Sequence, residues 1–91
     1  MKREIVWTKQ FKKDYRQALK RNLDITLLDD IIRALSRGET LPQRTKDHPL
    51  SGNWSGHREC HIQPDWLLVY QIAGERLFLK LIRTGSHSDL F

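Results

Sequence analysis

The hydrophobic period of this chain changes once, and no other feature of the sequence restricts its fold as much. Phe11, Tyr15, Ala18 and Leu19 recur at helical spacing, as do Ile25, Leu28, Ile31, Ile32 and Leu35. From His57 the period drops to two: Cys60 and Ile62 take one face of a strand, and His57, Glu59 and His61 take the other. Helices first and strands afterwards, within 91 residues, leave room for one core and one domain, residues 1–91.

The punctuation of the chain agrees with that division. Lys2 to Trp7 reads as a short first strand, and Thr8 offers a hydroxyl to cap the first helix. Asp24 can cap the second; its acids Asp24, Asp29 and Asp30 lie early and Arg33 and Arg37 late, as the helix dipole prefers. Gly38 supplies the stop. From Leu41 to Gly56 no period survives, and Pro42, Pro49, Gly52 and Gly56 mark a loop. Pro64-Asp65 makes a turn, and Trp66 to Ile72, apolar on both faces, predicts a central strand. Ala73-Gly74-Glu75 turns the chain into a last strand, Leu77 to Arg83, and Thr84 to Phe91 is a tail. The predicted fold is α+β in the order β-α-α-β-β-β, a helical hairpin packed on a small antiparallel sheet.

Apolar residues at 38% and charged residues at 30% are a globular balance. No apolar run reaches the roughly 18 residues of a membrane span. The charged start at Lys2, Arg3 and Glu4 leads into no signal-peptide core, and the lone Cys60 excludes an internal disulfide. These features predict a cytoplasmic protein without a membrane partner. The net charge of +5 favours a polyanion. Lys9, Lys12, Lys13, Arg16, Lys20 and Arg21 crowd the polar side of the first helix with only Asp14 to offset them. Any one of them is an ordinary solvated cation; as a group they predict a phosphate-facing surface.

All the histidines, His48, His57, His61 and His87, lie in the second half, interleaved with Glu59, Asp65 and Arg83. With Trp66 to Ile72 as the central strand, the Pro64-Asp65 turn and the strand end at Arg83 fall at one edge of the sheet. One cleft can then gather His61, Asp65, Arg83 and His87, with the loop bringing His48. Such a set suits phosphodiester cleavage in which the RNA 2′-hydroxyl is the nucleophile. A base is needed for that hydroxyl and an acid for the departing 5′-oxygen, and histidine serves as either. A guanidinium suits the charge that grows on phosphorus, so Arg83 takes that role. Trp66, Trp54 or Phe91 can stack on an unpaired base. Which group is base and which is acid stays open.

The plainer readings stand beside these. His57 is assigned to structure, and Trp54 and Trp66 also suit a small core. A metal site built from His57 and His61 with Cys60 or Glu59 is the rival for the histidines. Alternation sends Cys60 to the opposite face, and no Cys-x-x-Cys or helical His-x-x-x-His spacing exists. No metal or other cofactor is therefore expected.

The ordered set Lys46-Asp47-His48-Pro49-Leu50-Ser51-Gly52-Asn53-Trp54-Ser55-Gly56, then Arg58, His61 and Pro64-Asp65-Trp66-Leu67-Leu68-Val69-Tyr70, then Arg83-Thr84-Gly85-Ser86-His87 and Leu90-Phe91, closely resembles the YafQ branch of the RelE/ParE toxin superfamily. The resemblance covers essentially the whole chain, although the two helices match only in character. It implies a RelE-like fold and a toxin of a type II toxin–antitoxin pair that cuts messenger RNA in the ribosomal A site without a metal. It implies a DinJ-like antitoxin and the 70S ribosome as partners. Carried over by position, it implies functional roles for His48, His61, Asp65, Arg83, His87 and Phe91. It also gives the first-helix cations a purpose, as a surface for ribosomal RNA, and Lys46 and Trp66 are assigned to RNA binding beside them. A ParE-like sibling that inhibits DNA gyrase without cutting RNA is the alternative, since a shared fold does not fix function.

Overall fold

The computed structural model describes residues 2–91, and Met1 lies outside the described residues. The chain runs β1 (Glu4–Trp7), α1 (Lys9–Lys20), α2 (Ile25–Ser36), β2 (His48–Pro49), β3 (Arg58–Gln63), β4 (Trp66–Ala73), β5 (Phe78–Gly85) and α3 (His87–Leu90), with single 3-10 turns at Gln43–Thr45 and Gly52–Trp54. The α+β class and the β-α-α-β-β-β order hold, with β2 and α3 as additions too short for any period to reveal.

Each long element ends where its local chemistry says it should. Thr8 Oγ1 accepts the Phe11 N–H at 3.2 Å and opens α1, and Asp24 accepts the Thr26 N–H at 3.2 Å to open α2. Beyond α2, Gly38 adopts φ +75°, and the Gly38 and Glu39 N–H groups close on the Leu35 and Ala34 carbonyls.

The five strands lie in the order β1-β5-β4-β3-β2. β2 to β5 pair antiparallel, whereas β1 runs parallel to β5, with Ile5 opposite Leu79. The sheet is thus mixed rather than wholly antiparallel. Alternation within a strand is the same whichever way its neighbour runs, so the sequence pattern carries no sign of this pairing.

β4 sits in the middle, and its residues Trp66 to Tyr70 are buried on both faces. Phe11, Ala18, Leu28, Ile31, Ile32 and Leu35 from the helices meet Cys60, Ile62, Leu68, Tyr70, Leu79 and Leu81 on one side. On the other, Leu67 and Val69 pack under Leu90, with Leu50, Trp54 and Ile82 around them. The inward stripe of α1 is Phe11, Asp14 and Ala18; Leu19, expected inside, is 47% exposed because it lies about 100° round the helix from Ala18. β1 ends at Trp7, so α1 covers the edge of β5 beyond it. There the Thr8 N–H and hydroxyl both donate to the Leu81 carbonyl, and Asp14 accepts the Thr84 N–H.

Candidate active site

The β3 alternation that buries Cys60 and Ile62 under the helices turns Glu59 and His61 to the opposite face. His48 on β2 lies directly across from Glu59, which puts it on that same face. The loop before it is fixed by Asp47, which accepts from the Tyr70 hydroxyl at 2.5 Å and from Arg58 at 3.3 and 3.4 Å. His48 itself is exposed, with Nδ1 2.6 Å from the Lys46 carbonyl.

α3 supplies the opposite wall. Its start is a capping box: Ser86 Oγ accepts the Asp89 N–H at 3.1 Å, and Asp89 accepts the Ser86 N–H at 3.0 Å. The His87 N–H, left over at the helix start, donates to Asp65 Oδ1 at 3.0 Å. The same oxygen lies 2.6 Å from His87 Nδ1. The backbone N–H of His87, and then its ring, hold the Asp65 carboxyl below the usual range, so Asp65 is ionised at neutral pH and acts as an acceptor. An ionised partner on Nδ1 keeps the proton there and leaves Nε2 of a neutral His87 ring with its lone pair.

The His87 and His61 rings lie 5.6 Å apart between centroids, and His61 Nε2 is 3.5 Å from Glu59 Oε1. His61 Nδ1 faces the Pro64 carbonyl at 3.3 Å. Both ring nitrogens of His61 thus face oxygen, a pattern satisfied only when both carry protons or when Glu59 carries one. From Glu59 through His61 to His87 and Asp65 the side chains pass from 8% to 18%, 52% and 68% exposed. The row runs from a buried carboxylate to an open edge, and it can take a proton at one place and give one at another.

Of the residues the sequence singled out, His61, Asp65 and His87 stand together, and His48 shares their sheet face. Arg83 is held elsewhere: its Nε and Nη2 fork onto Asp14 at 2.7 and 3.4 Å, and its side chain is 27% exposed. Phe91 stands edge-on to Trp54 at 5.7 Å, and Trp54 edge-on to His57 at 5.6 Å. Trp66 contradicts its assignment to an RNA surface. It is 3% exposed, and its Nε1 donates to Thr84 Oγ1 at 2.9 Å, so its ring belongs to the core. Lys9, Lys12, Lys13, Arg16 and Lys20 are exposed along α1, and Lys46 is exposed in the loop. Arg21 is exposed too, but it pairs with Asp89 at 2.8 Å.

Glu59 is the residue that sequence reasoning passed over except as a metal ligand. Its signal was its place two residues before His61 on the polar face of β3. Oxygen and nitrogen atoms of Glu59, His61 and His87 lie within 4.8 Å of one another, so among the described residues these three could hold a metal ion. Cys60 points into the core, where burial pushes its thiol up to about 12 and removes it from ligand duty.

A family model described as the bacterial toxin of type II toxin–antitoxin system, YafQ, matches residues 3–91. The mRNA interferase toxin YafQ of Escherichia coli K12 is 38% identical over 92 residues, spanning 100% of this chain and 98% of that protein. The chain also superposes on the E. coli DinJ–YafQ toxin–antitoxin complex with TM-score 0.90 and 38% identity, covering 100% and 99% of the two chains. A metal-bound toxin from Helicobacter pylori gives TM-score 0.91 and 43% identity, with both chains covered in full.

Proposed function

The chain belongs to the YafQ family of toxins of type II toxin–antitoxin systems, and from that premise we propose that it is a ribosome-dependent endoribonuclease that cuts messenger RNA in the A site. The observation that carries the reading is the pairing of two proton-handling units, Glu59 with His61 and Asp65 with His87, whose rings are 5.6 Å apart. A phosphate between them meets one group on the side of the attacking oxygen and another on the side of the leaving oxygen. One unit takes the proton of the 2′-hydroxyl as its oxygen bonds to phosphorus. The other gives a proton to the 5′-oxygen as that bond breaks. The products are a 2′,3′-cyclic phosphate and a free 5′-hydroxyl.

Arg83, held by its Nε edge, keeps Nη1 for the charge on the phosphate oxygens. His48 on the same sheet face and Phe91 at the rim complete the substrate-facing set. The exposed cations of α1 and Lys46 face ribosomal RNA. The chemistry is complete in protons alone, and the reading is metal-independent. A metal held by Glu59, His61 and His87 would occupy the lone pairs that move those protons. The E. coli relative in complex with DinJ supports a DinJ-like antitoxin as the partner of this chain. No helix of the described residues is long and apolar enough to cross a membrane, and the work proposed here belongs to the cytoplasm. A gyrase inhibitor acting by contact has no use for two adjacent acid–base pairs.

Primer extension on messenger RNA with and without ribosomes, for the wild type and His87→Ala, tests the proposal. Cleavage only with ribosomes, and only by the wild type, is the expected result. Intact messenger RNA in every lane, with DNA damage on expression, turns the reading to gyrase.

A further inference from the structure

We infer that α1 is a brace for the segment that carries Arg83 and His87, with Asp14 fixing the Arg83 guanidinium and Arg21 fixing, through Asp89, the turn that bears His87. The inference rests on the nuclease reading of the site. Asp14 lies in α1 and Arg21 is the residue that caps its C-terminus, seven residues on, so the two fall on one side of the helix about two turns apart. Across a small cavity of about 180 Å³ they face the chain between Arg83 and Asp89. Each end of that segment is gripped once.

At the first end, Asp14 is 9% exposed and takes Arg83 by its Nε and Nη2 edge, while the same carboxylate accepts the Thr84 N–H at 3.1 Å. The backbone bond fixes the carboxylate to the strand, and the fork then fixes the plane of the guanidinium. At the second end, Arg21 Nη1 meets the Asp89 oxygen that caps α3 through the Ser86 N–H. Arg21 therefore pulls on the capping box one residue from His87. α3 is only four residues long and cannot stand by itself.

The alternative use of this cleft, as a phosphate site, is disfavoured by its own charges. Each arginine that faces it already has a carboxylate partner, and an anion would have to displace Asp14 or Asp89. Arg21 accordingly leaves the group of α1 cations assigned to ribosomal RNA.

The test measures cleavage on programmed ribosomes, at saturating and limiting ribosome concentration, for Arg21→Met, Asp89→Asn, their double variant and Asp14→Asn. Arg21→Met and Asp89→Asn should each lower kcat by about tenfold to a hundredfold with KM within about twofold, and the double variant should be no slower than the slower single one. Asp14→Asn keeps an acceptor for the Thr84 N–H and should lower kcat in the same range. A rise in KM alone for Arg21→Met, losses that multiply in the double variant, or an unchanged kcat for Asp14→Asn overturns the brace. Hydrogen exchange gives a readout without activity: Arg21→Met should speed exchange of the His87 amide and leave the amides of β4 protected. Unchanged His87 exchange overturns the brace whether or not RNA is cut. The expected exchange in a protein that cuts no RNA overturns only the nuclease reading.

Discussion

One oxygen of Asp65 accepts two hydrogen bonds from His87, the backbone N–H at 3.0 Å and the ring Nδ1 at 2.6 Å. The first bond sets where the carboxylate sits, and the second sets which way the ring faces and which nitrogen keeps its proton. The two bonds together make the β3–β4 turn and the start of α3 a single unit. Both side chains are more than half exposed, at 68% and 52%, so water screens the pair and it adds little to stability. Its value lies in orientation.

Asp65→Asn and His87→Ala should each slow cleavage on programmed ribosomes by about two orders of magnitude or more, the usual scale for acid–base groups. Thermal midpoints should stay within a few degrees of wild type, as expected for exposed positions. Wild-type cleavage by both folded variants would remove these residues from the site.

Glu59→Gln probes the buried end of the row. Glu59 is 6% exposed and lies 3.5 Å from His61, so the substitution keeps shape and removes the charge. Single-turnover cleavage should fall by about a hundredfold. The melting temperature should hold or rise, because burying a charge opposes folding. A lower melting temperature with intact cleavage would make Glu59 a structural residue only.

What the sequence reveals depends on how many residues a signal spans. The stripes of α1 and α2 and the alternation of β3 extend over several turns or pairs, and each element appears where its period predicts. β2 has two residues and contains Pro49, and α3 has four, so neither shows a period. α3 nevertheless had a readable mark, the Ser86-x-x-Asp89 spacing of its capping box. His61, Asp65 and His87 were legible as a group because turn and strand end meet at one edge of the sheet. Asp14 and Asp89 were not, since an acidic residue on an amphipathic helix or in a tail looks like solvated charge until its partner is known. Trp66 had two readings, a platform for an unpaired base and a piece of core, and the central strand that begins with it carries it inside.

Trp66→Phe separates core from surface. It retains most of the buried ring and removes the N–H that Thr84 Oγ1 accepts at 2.9 Å; Thr84 Oγ1 still donates to the Leu67 carbonyl at 2.7 Å. Chemical denaturation should show a loss of about 1–2 kcal/mol. Binding to empty ribosomes should be unchanged, and a clear loss of ribosome affinity at wild-type stability would restore the ring to the RNA surface.

Metal chelation distinguishes proton chemistry from metal chemistry at the same three ligands. Cleavage should be unaffected by EDTA. Added Zn²⁺ should slow it, because a metal on Glu59, His61 and His87 holds the lone pairs that accept protons. Glu59→Gln should weaken zinc binding in calorimetry. Loss of cleavage in EDTA, restored by one particular divalent ion, would replace the metal-independent mechanism.

Acid should act on α3 through Asp89. The hydrogen bond from Arg21, followed by that from the Ser86 N–H, holds the Asp89 carboxyl down at about 2, against an ordinary value of 3.8. A carboxylate depressed by folding contributes stability that is present in full above its unfolded value and is lost as pH falls through its folded one. The cap and the contact to α1 should therefore persist at pH 5 and weaken between about pH 4 and pH 2. Carbon-detected NMR titration of Asp89, read beside the His87 amide, follows both events. In Arg21→Met the Asp89 midpoint should move up towards 3.8, and the His87 amide should respond at the higher pH. An Asp89 that already titrates near 3.8 in the wild type would mean that Arg21 does not hold it in solution.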